Sequence, residues 1–320
     1  MSKAYESFYP HNIDSLIVAS HLGPDAVVQL FLEDGLMVNS LASMERKALS
    51  WAAEAGNEAV VELLLDRCTN RIGKKRGQSV LGGKTNEYRN RIKAVFRSKV
   101  DIDVNSADAQ DQTSLILGAK NGHKRVVELL LDRNAETNCT DQFNETAAMK
   151  AAKNGHEDIV VLFLERNPWS KSKNKFFGPV LISAAGSGQV AVVKILLDRG
   201  VNKEFKNEAG KTALAWAAHQ GSLESVKLLL EFDADIEAKD KEGNTPLMHA
   251  VGKTHKNTVA FLLDHDADVE AKNNAGRSAI TIALVMYDNG PLILWGAFGL
   301  LLEHGAAMTS NGSVYLMICQ

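Results

Sequence analysis

Cysteine is scarce. Three residues in 320, Cys68, Cys139 and Cys319, are too few for a disulfide scaffold, and their spacing fits no zinc pattern. A reducing compartment is the expectation. Long apolar runs are absent too. The longest, Pro291 to Leu302, has 12 residues and falls short of the roughly 20 that cross a bilayer. The opening stretch, MSKAYESFYPHN, lacks the apolar segment of a secretion signal. A soluble cytoplasmic chain without membrane insertion is therefore expected. Aromatics make up only 6%. The net charge of −3 singles out no partner. There is no G-x-S-x-G, and LGGK at Leu81 is only a fragment of a phosphate-binding loop.

What is present is periodic. With 45% apolar and 23% charged residues, wholesale disorder is excluded. Triples of large apolar residues begin at Leu30, Leu63, Leu129, Leu162, Ile195, Leu228, Phe261 and Leu300. Most intervals are 33; one is 66, and the last is 39. The doubled interval predicts a weak repeat centred on Phe96, and the long one an insertion. Within a unit such as Thr212 to Glu231, a threonine caps a short apolar helix, Gly221 ends it, and a second helix carries Val226, Leu228, Leu229 and Leu230. Three residues past each triple stand Gly35, Cys68, Asp101, Asn134, Asn167, Gly200, Asp233, Asp266 and Gly305. All but Cys68 are residues that tolerate a left-handed helix end. The connections DQFNET, NEAGKT, DKEGNT and NNAGRS read as tight hairpin turns.

DKEGNTPLMHAVGKTHKNTVAFLLDHDADVEAK from Asp240 and TSLILGAKNGHKRVVELLLDRNAETN from Thr113 resemble the ankyrin repeat pattern. The resemblance runs from about Asp14 to Ala306. It implies an all-α ankyrin-repeat solenoid of about eight to nine helix-turn-helix units joined by β-hairpin-like turns. Residues 1–320 are expected to form one array: an N-terminal capping repeat at 1–40, a degenerate basic repeat at 69–107, regular repeats over 108–306 with an insertion near 287–298, and a partial cap at 307–320. Thr254 stands where the pattern has glycine, and NPWSKSKNKFFGP from Asn167 replaces the usual turn with basic and aromatic residues.

The resemblance also implies function. Such arrays bind other proteins along a concave side lined by hairpin tips and first helices. On this chain those places hold Gln142, Phe143, Lys153, Phe176, Phe177, Lys211, His219, Gln220, Lys253 and Arg277. Phe143, Phe176 and Phe177 either anchor a partner or pack on a neighbouring hairpin. Trp51 and Trp216 share one repeat place, where partial burial in the helix layer is expected. Trp169 and Trp295, in the irregular stretches, are candidate surface anchors.

Charge is unevenly spread. From Arg67 to Lys99 there are 11 Lys or Arg and one acid, Glu87. Lys74, Lys75, Arg76, Arg89 and Arg91 could hold nucleic acid or another polyanion, and KKR at Lys74 could direct nuclear import. A solvated loop explains the same charges, and no aromatic ladder accompanies them.

Catalytic constellations are not evident. His123 and His156 share the motif Asn-Gly-His, and their recurrence suits bracing a turn. His219, His249 and His255 belong to neighbouring units but lack metal-ligand spacing. The expectation is a non-catalytic protein-binding scaffold or adaptor with no cofactor and no metal. The alternatives are a small-molecule site or enzyme in the groove or at the irregular units, and polyanion binding through 69–99.

Overall fold

The computed structural model describes residues 48–65, 103–166, 173–287 and 295–306. Among them stand seven helix pairs: α1 (Ala48–Ala55) with α2 (Glu58–Leu65), α3 (Ser114–Lys120) with α4 (Lys124–Leu131), α5 (Ala147–Lys153) with α6 (Glu157–Arg166), α7 (Lys173–Gly186) with α8 (Val190–Asp198), α9 (Ala213–Gln220) with α10 (Leu223–Glu231), α11 (Pro246–Gly252) with α12 (Lys256–Asp264), and α13 (Ala279–Tyr287) with α14 (Trp295–Glu303). The all-α repeat architecture expected from the sequence is the one observed. Two isolated bridges, Ala107 with Thr113 and Thr140 with Thr146, are all the β-structure among the described residues.

The chain divides into two compact units. One comprises Met1–Ala151 with Asp158–Phe163, the other Ala152–Glu157 with Leu164–Gln320. In the second unit first helices pack on first helices (α7 on α9, α9 on α11, α11 on α13) and second helices on second helices (α8 on α10, α10 on α12, α12 on α14). Val226, Leu229, Val259 and Leu262 are fully buried, so each pair closes its apolar face only against its neighbours.

Local chemistry sets each unit. Thr113, Thr212 and Thr245 accept from the backbone N–H three residues on and start the first helices. In each turn an Asp or Asn side chain accepts two backbone N–H groups. Asp141 takes those of Phe143 and Glu145, and Asn207 those of Ala209 and Lys211. The fourth turn residue is left-handed, at Asp111, Asn144, Gly210, Gly243 and Gly276, as are the predicted helix ends Asn134, Gly200, Asp233, Asp266 and Gly305. Gly35, Cys68, Asp101 and Asn167 lie outside the described residues, as do both predicted caps and, of the insertion expected near 287–298, residues 288–294.

A side chain between the two helices of a pair bridges to the preceding pair. Ser222 Oγ donates to Gly186 O, His255 Nε2 to His219 O, and Gln189 Nε2 to Lys153 O, each spanning 36 residues. In the first unit His123 Nε2 donates to Glu54 O at 3.0 Å, across 69 residues. Ser50 Oγ meets Ser114 Oγ at 3.3 Å, and α1 packs on α3, α2 on α4. The pair α1–α2 is therefore the direct neighbour of α3–α4. The degenerate repeat expected at 69–107 lies outside the described residues, apart from 103–107.

One correction concerns 173–179. Where a turn was expected, α7 runs unbroken for 14 residues with Pro179 inside it. Phe177, read as a possible exposed tip, is 1% exposed. Its ring meets Phe176 edge-on at 4.8 Å. The next residue, Gly178, lies under the ring of Phe205, where a Cβ would come within 2.2 Å.

Candidate functional site

In the first unit the hairpin tips join through backbone: Gln142 N–H donates to Gln110 O at 3.1 Å. Their side chains are thereby released from structural duty. Gln142 is exposed, and Phe143, at 69% exposure, is the one exposed large hydrophobic side chain among the described residues. Beneath it Lys150 pairs with Asp141 at 2.7 Å and with Glu145, and its ammonium lies 5.5 Å from the Phe143 ring centre. Beside the tip an open depression is lined by Asn105, Asp111, Thr113, Cys139, Asp141 and Asn144, among others. Burial, then the hydrogen bond to Glu136, push the Cys139 thiol up, the opposite of what a nucleophile needs.

The second unit holds a denser cluster at the first-helix face of α9 and α11. Trp216 stacks on His219 at 5.1 Å and 7°, one helix turn apart. His219 meets the edge of His249 at 5.5 Å. Lys211 lies over the Trp216 ring at 5.2 Å, a cation–π distance. The indole can lie there because Gly186 of the preceding first helix has no side chain; a Cβ on it would come within 2.3 Å of Trp216 Cδ1. His249 is held from below, its Nε2 donating to Asp240 Oδ2 at 2.9 Å. Burial first, then Lys211, His249, Lys253 and His255, lower the His219 pKa to about 4, so its ring is neutral at pH 7. Burial also leads the lowering at His249, aided by Lys211 and opposed by Asp240.

Of the residues singled out by sequence, Lys211 and His219 are brought together here, with Gln220 and Lys253 exposed at the ends of α9 and α11. Lys153 is exposed at the end of α5 and Arg277 in the last described turn, each away from this cluster in the chain. Phe176 is half-buried and Phe177 is core. Trp169, Lys74, Lys75, Arg76, Arg89 and Arg91 lie outside the described residues. From sequence, His249 stands with His219 and His255 only as a grouping without metal-ligand spacing, Asp240 is not singled out, and Trp216 has only a packing role. Among the described residues no three His, Cys, Asp or Glu side chains are grouped to hold a metal ion, and no helix is long and apolar enough to cross a membrane.

Stacked helix pairs joined by side-chain and backbone bridges, with variable side chains left at the tips, define a repeat-built recognition module. The family model described as Ankyrin repeats (3 copies) matches residues 85–175, 115–207, 149–240, 181–273 and 233–311, and the chain belongs to the ankyrin repeat family. No curated protein matches it by sequence. Among solved structures it is similar to the human ASB11 ankyrin repeat domain, with TM-score 0.60 and 20% identity over 82% of this chain and 100% of that one. It is also similar to the ankyrin repeat domain of Bcl-3, a member of the IkappaB protein family, with TM-score 0.56 and 20% identity over 81% and 100%. Ankyrin repeats are in general protein–protein interaction modules.

Proposed function

We propose that this chain is a non-catalytic scaffold or adaptor that binds a partner protein through its hairpin tips and first-helix ends. One observation carries the reading: the tips are tied to one another by backbone, and Phe143 is held out in water at one of them. The ring, positioned by an Asx turn at Asp141 and touched by the Lys150 ammonium on one side, is otherwise exposed and has an interface to gain. The adjoining depression is open, so a side chain from a partner can enter beside it. The array itself is proposed as one 1–320 domain on its sequence register.

Phe143→Ala should leave the melting temperature within about 2 °C, because the ring is exposed. It should weaken the partner recovered by affinity purification from the native cell about tenfold, the size of a modest hot spot. Recovery of no reproducible protein partner by the wild-type chain would discard the proposal.

A further inference from the structure

The second unit carries a cation whose environment is incomplete. Lys211 is half-buried above Trp216, yet no carboxylate of the described residues lies within salt-bridge distance of it. Lys150 in the first unit shows the contrast, being a half-buried lysine answered by both Asp141 and Glu145. The nearest acids to Lys211 are already committed. Asp240 Oδ1 accepts the backbone N–H groups of Glu242 and Asn244, its Oδ2 accepts from His249 and from Asn244 Nδ2, and Glu242 accepts from Asn244 Nδ2. Neither ring nitrogen of His219 has a hydrogen-bond partner among the described residues, although the ring is half-buried between Trp216 and His249. Lys253, exposed at the end of α11, has no carboxylate partner among them either.

Lys211 and the neutral ring of His219 at Trp216, and Lys253 near enough to act on both by charge, thus lack an acidic partner, and a partly desolvated cation such as Lys211 favours an anionic neighbour. We infer that the face formed by Lys211, Trp216, His219 and Lys253 binds an acidic segment of a partner protein, its carboxylates meeting the two lysines and His219 while an adjacent apolar side chain lies on the Trp216–His219 stack. This deepens the protein-binding reading and rests on it.

The electrostatics agree. Burial lowers the Lys211 pKa, with Lys253 adding to the effect and Asp240 and Glu242 opposing it. After burial, the groups acting on His219 are Lys211, His249, Lys253 and His255, all of which lower it. A carboxylate brought against His219 reverses that field and raises its pKa from about 4. Below the raised value binding takes up a proton, and affinity rises as pH falls from there toward about 4.

The test is selection of a random-peptide phage library on the full chain, followed by fluorescence anisotropy with the selected peptides made as fluorescein conjugates. Wild type should enrich peptides bearing several Asp or Glu, and raising NaCl from about 50 to about 300 mM should weaken them. The double variant Lys211→Gln, Lys253→Gln should lose affinity about tenfold or more, with its circular dichroism spectrum unchanged. Lys253→Gln alone, at an exposed position, should lose part of it. Enrichment of peptides without acids, or equal affinity for the double variant, overturns the acidic-partner inference and leaves the protein-binding reading standing. If wild type enriches no peptide at all, both fall.

Discussion

Thr254 is the residue that breaks the rule its neighbours keep. At the corresponding place five of the other six described first helices end in Gly56, Gly122, Gly155, Gly188 and Gly221, all with positive φ. Thr254 adopts the same conformation at φ 61 with a β-branched side chain, where L-residues are disfavoured by about 1–2 kcal/mol. Its hydroxyl donates to Lys253 O at 2.7 Å, an exposed bond that offsets little of that cost. Thr254→Gly should therefore stabilise the fold by about 0.5–1 kcal/mol, after allowing for the larger entropy glycine gives the unfolded chain. Urea unfolding reads this directly, and an unchanged or lower midpoint would refute the strain argument. The anomaly was legible in the sequence, because the pattern demanded glycine there. The burial of Phe177 was not. Residues 167–179 keep the repeat length, so nothing in the spacing signals that α7 begins about two turns early and turns Phe177 inward toward the helix layer.

Between elements, the second unit follows a spacing that the 33-residue period hides. Trp216 packs on Gly186, His249 on His219, and Ile282 against Gly252. Each pair is 30 residues apart, because a first-helix side chain leans onto the position one turn further along the preceding first helix. Lys211, His219 and Lys253 could be named from the sequence as outward places. The convergence of Lys211 and His219 on Trp216 could not, because it depends on this offset and on the missing Cβ of Gly186. The stack has a consequence for stability. His219, held at about 4 in the folded chain by burial and cationic neighbours, titrates near 6.5 once unfolded. The unfolded chain binds the proton first. The contribution of the neutral ring is thus complete above about pH 6.5, is lost as pH falls toward 4, and is constant below. Lowered His249 adds in the same direction. Unfolding midpoints measured between about pH 7 and pH 5 should fall, and His219→Gln should flatten part of that slope. Equal slopes for the two proteins would show that the cluster does not hold its histidine neutral.

For the chain as a whole, repeat length does not by itself fix repeat structure: residues 167–179 keep the length, yet α7 already begins at Lys173. An interval of 66 is arithmetically two repeats, and the family match itself starts at residue 85, inside the basic stretch. Yet His123 reaches Glu54 and Ser114 reaches Ser50, contacts that elsewhere join consecutive pairs. In a nearest-neighbour array, stability is a sum of unit and interface terms, and α1–α2 packs directly on α3–α4. Deleting Arg67 to Lys99, one period, joins Asp66 to Val100 and places Asp101 where Asn134 sits in the following unit, at the left-handed helix end. The junction then has the same length as that between α4 and α5. The shortened chain should keep its helical circular dichroism and a cooperative transition, with the melting temperature within about 3 °C of wild type or above it, since a shorter connection costs less entropy to close. It should also lose any affinity for polyanions that the 11 basic residues confer, separating that activity from the array. A fall of about 10 °C or more, or loss of the cooperative transition, would mean that the deleted stretch supplies an interface the neighbouring pairs need, and the direct stacking of α1–α2 on α3–α4 would be wrong.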